Sequence, residues 1–82
     1  MNVEIVRSAQ KEIEKLPKSV LPEVRRRILA LADDPMPRDS KKLRGSEHYR
    51  IRADHYRIIY IVDQREQRVV VTRVRHRRDA YR

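Results

Sequence analysis

Apolar side chains recur at helical spacing in the first half of the chain and alternate with polar ones in the second, which predicts helices followed by strands. Val3, Ile5 and Val6 form a short β-branched run, read as a first strand, and Ser8 just after it is a residue type that caps helices. Ala9, Ile13 and Leu16 then mark one face of a helix that Pro17 closes, with Lys11, Glu12 and Lys15 on the opposite face. Ser19 can cap a second helix, with Pro22 tolerated in its first turn. Leu21, Val24, Ile28 and Leu31 form its buried stripe, and Asp33, Asp34 and Pro35 end it. Two short amphipathic helices cannot satisfy their apolar faces alone, so they need a flat surface beneath them.

Residues 35–48 hold prolines, polar side chains and the only glycine, Gly45, and read as one long loop. From Tyr49 the period becomes two: Tyr49, Ile51 and Ala53 share one face, Arg50 and Arg52 the other. After a turn near Asp54 and His55, residues 56–62 are almost continuously apolar, as a central strand flanked by neighbours requires. A turn over 63–67 leads into a last strand over 68–74, and 75–82 form a polar tail that ends in a short turn or helix. The expected order is β-α-α-β-β-β. It makes a small α+β fold, an antiparallel-rich sheet packed against a helical hairpin, and 82 residues suit a single domain over 1–82.

Charge narrows the choice of partner. The chain has 21 Lys and Arg against 12 Asp and Glu, a formal net charge of +9, which favours an anionic partner, nucleic acid first and an acidic protein second. A basic surface that serves only solubility fits the same count. With no cysteine, a disulfide framework, a thiolate metal site and a cysteine nucleophile are all excluded, and a reducing cytoplasm is expected. No apolar run is long enough to cross a bilayer and the N-terminus lacks a signal-peptide core, so no membrane association is expected. His48, His55 and His76 lack metal-ligand spacing, and there is no HExxH, P-loop or GxGxxG. Neither a metal nor a small-molecule cofactor is expected.

Candidate chemistry lies in the arginines. Arg57 is opposite in parity to Tyr56, Ile58 and Tyr60, so it can reach the face that carries Arg50 and Arg52. Three converging guanidinium groups repel one another unless an anion sits among them, and their planar forks match phosphate oxygens. Each one singly also fits a plainer role, its stem covering apolar surface under an exposed head. Arg57 is the only charge within an apolar run, and a charge in that context calls for a specific partner. The tail RVRHRRDAYR sets Arg75, His76, Arg77 and Arg78 beside Tyr81, a ring that can stack on a base, though a solvated basic end has the same composition. Lys41, Lys42 and Arg44 suit phosphate contacts or a solvated loop equally.

The segment KLRGSEHYRIRADHYRIIYIVD, followed by VVVTRVRHRRDAYR, resembles the C-terminal half of RelE-type toxins, with LRG, YRIR, YRIIY and HRRDAY in that family's order and spacing. The resemblance implies the toxin of a type II toxin–antitoxin system. It would be neutralised by a cognate antitoxin that wraps around it, in a complex of higher oligomeric order, and would act with the ribosome as a metal-independent endoribonuclease on messenger RNA in the A site. Carried over position by position, it assigns phosphate binding and catalysis to Arg50, Arg52, Arg57, Arg77 and Tyr81, while Lys41, Lys42, Arg44 and Arg78 are candidate RNA contacts by their charge alone. The implied reaction is attack of a ribose 2′-hydroxyl on the adjacent phosphate.

Two departures stand out against that family. Positions 50 and 52 carry Arg where well-known members have Lys, and Arg stays protonated, so neither is a base. His76 becomes the first candidate for proton transfer, with Tyr81 next. Arg75 stands where relatives often have Gly. Two rival functions fit the same fold: a ParE-like inhibitor of DNA gyrase that acts by binding protein, and a catalytically inactive RNA- or antitoxin-binding module.

Overall fold

A five-stranded sheet in the order β1-β5-β4-β3-β2 forms the base of the molecule, with two helices packed on one of its faces. The elements are β1 (Asn2–Ile5), α1 (Arg7–Glu14), α2 (Leu21–Ala30), β2 (Lys41–Lys42), β3 (Tyr49–Ala53), β4 (Tyr56–Asp63) and β5 (Arg68–His76). They come from a computed structural model that describes residues 1–79. β1 pairs with β5 in parallel, and the other neighbours are antiparallel.

The apolar stripes read from the sequence make the core. Ala9 and Ile13 of α1 and Val24 and Ile28 of α2 are buried, as is Leu31 just after α2. They meet Ile51, Ala53, Ile58, Tyr60, Val69, Val71 and Val74 from the sheet. α1 lies over β5, and α2 over β3 and β4.

The helix starts differ from the expected caps. Val6 and Val20 hold the N-cap positions without a side-chain hydrogen bond, and Ser8 falls inside the first turn of α1. Tertiary pairing sets the first boundary instead: the Val6 N–H donates to the Val71 carbonyl, the last link of the β1–β5 ladder, and the chain then turns into α1. The 35–48 segment contains a two-residue edge strand, β2, in place of an unbroken loop. β5 runs on through Arg75 and His76, which the sequence places in a tail.

Beyond Val71, β1 no longer covers the outer edge of β5, and Glu12 of α1 takes over. One of its carboxylate oxygens accepts the Val74 N–H at 2.9 Å and the other accepts Arg75 Nε at 3.0 Å. This residue, expected on the solvent face of the helix, is thus the tie between α1 and the strand that borders the arginines. Glu12→Ala is expected to destabilise the fold by about 2 kcal/mol, since it leaves a partly buried N–H unpaired and a guanidinium without its partner. Denaturant melts would read the loss.

The segment after α2 is pinned twice. The Tyr60 hydroxyl donates to the Pro35 carbonyl at 2.8 Å, and Arg27 donates to both Asp39 carboxylate oxygens at 2.7 Å. The Arg27 hydrogen bonds, with a smaller contribution from the main chain of Arg52, hold the Asp39 carboxyl below its ordinary range. A lowered folded-state pKa adds stability above the ordinary carboxylate value of about 3.9, and this is lost as the pH falls through the lowered value. Asp39→Asn should therefore melt below the parent protein at neutral pH, with the gap closing in strong acid.

Candidate active site

The face of the sheet away from the helices carries the arginines in register. Arg52 of β3 lies directly across from Arg57 of β4, and Arg57 lies across from Arg75 of β5. Arg50 sits two residues back along β3, between Lys41 of β2 and Ile59 of β4, and is buried.

A β-bulge makes this row possible. Val69 and Val71 point into the core, and strict alternation from them would drive Arg73 and Arg75 under the helices. Thr72 instead falls between the pairs Tyr60–Val71 and Ile59–Arg73, and its hydroxyl donates to the Ile59 carbonyl at 3.2 Å. The extra residue flips the parity of everything after it. Val74 becomes the buried residue, and Arg73 and Arg75 move to the open face. Arg75 then turns its Nε to Glu12.

Arg77, just past β5, supplies the next cation. Its N–H donates to the His55 carbonyl at 2.8 Å, tying the end of β5 to the two-residue turn between β3 and β4. The result is a cavity of about 270 Å³ lined by Arg52, Asp54, His55, Tyr56, Arg57 and Arg77. Three guanidinium groups there face one carboxylate. Like charges directly opposite on a sheet repel, and an anion bound between them removes that cost. A phosphate has the right charge and oxygen geometry.

The sequence-predicted residues divide by position. Arg52, Arg57 and Arg77 line the cavity, and Arg50 shares their face of the sheet. His76 is not among the lining residues. It pairs with Tyr56 across β4 and β5, on the side of Val74, and its ring meets the Tyr56 ring edge-on with centroids 5.3 Å apart. Its Nδ1 accepts the Arg78 N–H at 3.3 Å. The bulge that brings Arg75 to the open face turns His76 away from it. Lys41 and Lys42 form the exposed edge strand, Arg44 lies exposed before Gly45, and Arg78 is exposed in the turn after β5. Tyr81 lies outside the described residues.

His55 lines the cavity although the sequence drew attention to it only as a residue without metal-ligand spacing. The available signal was the hairpin itself: Ala53 pairs with Tyr56, so Asp54 and His55 close a two-residue turn directly beside Arg52 and Arg57.

Comparison with known proteins gives one consistent picture. Residues 3–81 match the family model described as the ParE toxin of the type II toxin–antitoxin system parDE. RelE1 of Methanocaldococcus jannaschii is 32% identical over 84 residues, covering 98% of this chain and 93% of that protein. Among solved structures, the RelBE2 toxin–antitoxin complex of Mycobacterium tuberculosis superposes with a TM-score of 0.81 at 29% identity, over 92% of this chain and 95% of the other. The archaeal RelE–RelB complex of Pyrococcus horikoshii also gives 0.81, at 28% identity and 93% coverage of each chain. From its first strand to its basic tail, therefore, this chain belongs to the RelE/ParE superfamily of toxins from type II toxin–antitoxin systems.

Proposed function

We propose that this toxin cleaves messenger RNA in the ribosomal A site, by attack of a ribose 2′-hydroxyl on the adjacent phosphate. The observation that carries the reading is the cavity lined by Arg52, Arg57 and Arg77, a cation cluster roomy enough to admit a phosphate and placed on the open face of the sheet. Charge develops on the phosphoryl oxygens as the pentacoordinate state forms, and fixed guanidinium donors stabilise that charge more than they stabilise the ground state. Arg57 and Arg77 hold the phosphoryl oxygens, with Arg52 and Arg50 extending the positive field along β3. Tyr81, which lies outside the described residues, completes the set inferred from the family. Lys41, Lys42, Arg44 and Arg78 are exposed and suit backbone phosphates of message or ribosomal RNA.

A cognate antitoxin is the natural regulator. The solved relatives include toxin–antitoxin complexes, and a surface with this excess of Lys and Arg suits an acidic antitoxin segment, in an assembly of higher oligomeric order.

The match to a ParE model favours one other reading, inhibition of DNA gyrase by protein contact. Induced expression in a bacterial host separates the two. If the proposal holds, incorporation of labelled amino acids stops within minutes while DNA stays intact. Early DNA damage with translation still running would instead support gyrase inhibition.

A further inference from the structure

The cleavage reaction needs a group that accepts the 2′-hydroxyl proton, and the cavity's arginines cannot supply it because they remain protonated. Among the described residues, the cavity lining contains one imidazole, that of His55, the side chain most often used for proton transfer. Resting on the cleavage reading above, we propose that His55 is the general base of this toxin.

The hairpin turn sets the position of His55. Its carbonyl is held by the Arg77 N–H at 2.8 Å, so the turn cannot swing away from the cavity without breaking the link to the end of β5. Asp54 before it adopts φ 57°, a left-handed conformation that glycine enters more easily than aspartate. In that conformation the Asp54 carboxylate stands 3.8 Å from His55 Nε2, where it faces the imidazolium that forms on proton uptake. Backbone strain of this kind beside a cavity is a feature of functional sites.

The other histidine near the site is committed elsewhere. His76 accepts the Arg78 N–H through Nδ1 and packs edge-on against Tyr56. The groups facing His55 come from every element around it. Asp54 and Arg52 approach from β3 and its turn, and Tyr56 and Arg57 from β4. His76, Arg77, Arg78 and Asp79 approach from the end of β5 and the turn beyond it. The ring of His76 lies 6.2 Å from that of His55, centroid to centroid.

In the step proposed, the neutral imidazole takes the proton from O2′ as the O2′–P bond forms and the P–O5′ bond breaks. O5′ leaves with a proton from water, and the imidazolium returns its proton to the hydroxide so formed. The products are a 2′,3′-cyclic phosphate and a free 5′-hydroxyl, with no net change in protons.

The test is single-turnover cleavage of message on programmed ribosomes between pH 5.5 and 8.5, for the intact toxin, His55→Gln, Asp54→Gly and Arg57→Ala. The intact toxin should show a rate that rises with pH along an acid limb, as loss of a proton from a general base requires. His55→Gln should lose about a hundredfold in rate together with this acid limb, while half-saturation in ribosomes stays unchanged. Asp54→Gly should slow the reaction while raising the melting temperature. A His55→Gln toxin that cuts at full rate with an unaltered pH profile, while Arg57→Ala is inactive, overturns the role of His55 and leaves the cleavage reading standing. An intact toxin that makes no cut overturns both.

Discussion

Arg57→Ala is expected to lower the rate of message cleavage by about a hundredfold or more, the usual cost of removing one preorganised donor from a developing oxyanion. Arg57 sits between Arg52 and Arg75 in the sheet register, lines the arginine cavity and is 7% exposed. Its loss removes the middle of the cation row. The fold should survive, because the substitution also relieves repulsion across the β3–β4 pair, and circular dichroism should show an unchanged sheet and helix signal. Arg57→Lys should recover only part of the rate. It keeps the charge but not the planar fork that meets two phosphate oxygens at once. Recovery to the full rate would mean that field strength alone matters at this position.

Ile58→Ala should give the largest loss of stability, about 3–4 kcal/mol, by leaving a cavity in a site with no room to collapse. Ile58 is fully buried, lies on β4 near the middle of the sheet, and pairs with Ile51 on one side and Val74 on the other. A domain of this size has only about 5–10 kcal/mol of total stability, so the variant should be partly unfolded near 37 °C when no partner is bound. Equilibrium urea unfolding gives the number. A loss below about 1 kcal/mol would mean that the helices shift to refill the space, and that their packing over the sheet is looser than the burial of Val24 and Leu31 indicates.

Much of this fold could be read from spacing. The stripes Ala9–Ile13 and Val24–Ile28–Leu31 face the sheet as their periods predict, and Arg57 falls on the side assigned by its parity. What spacing could not show depends on contacts far apart in the chain. A two-residue strand such as β2 has no period, and its existence depends on β3 lying next to it. Glu12 joins Val74 across 62 positions, a hydrogen bond that no local pattern encodes. The bulge at Thr72 matters most for the site. Before it the buried residues are Val69 and Val71, after it Val74, and a reader counting by twos misplaces Arg75 and His76 together. The sequence offers His76 for proton transfer by residue type alone, without showing which face it takes, and His55 lies in a turn too short to draw notice. The helix starts failed for a related reason: the β1–β5 ladder sets where α1 begins, so Ser8 is left without a capping role.

Cleavage of message through the arginine cavity is the step on which the proposed function depends. Primer extension on a reporter message in a translation extract, with the intact toxin and Arg57→Ala side by side, tests it most directly. Discrete 5′ ends within translated codons are expected, absent from the Arg57→Ala lane and absent when ribosomes are omitted. Full-length message in every lane, from a toxin that still arrests growth in cells, would contradict it.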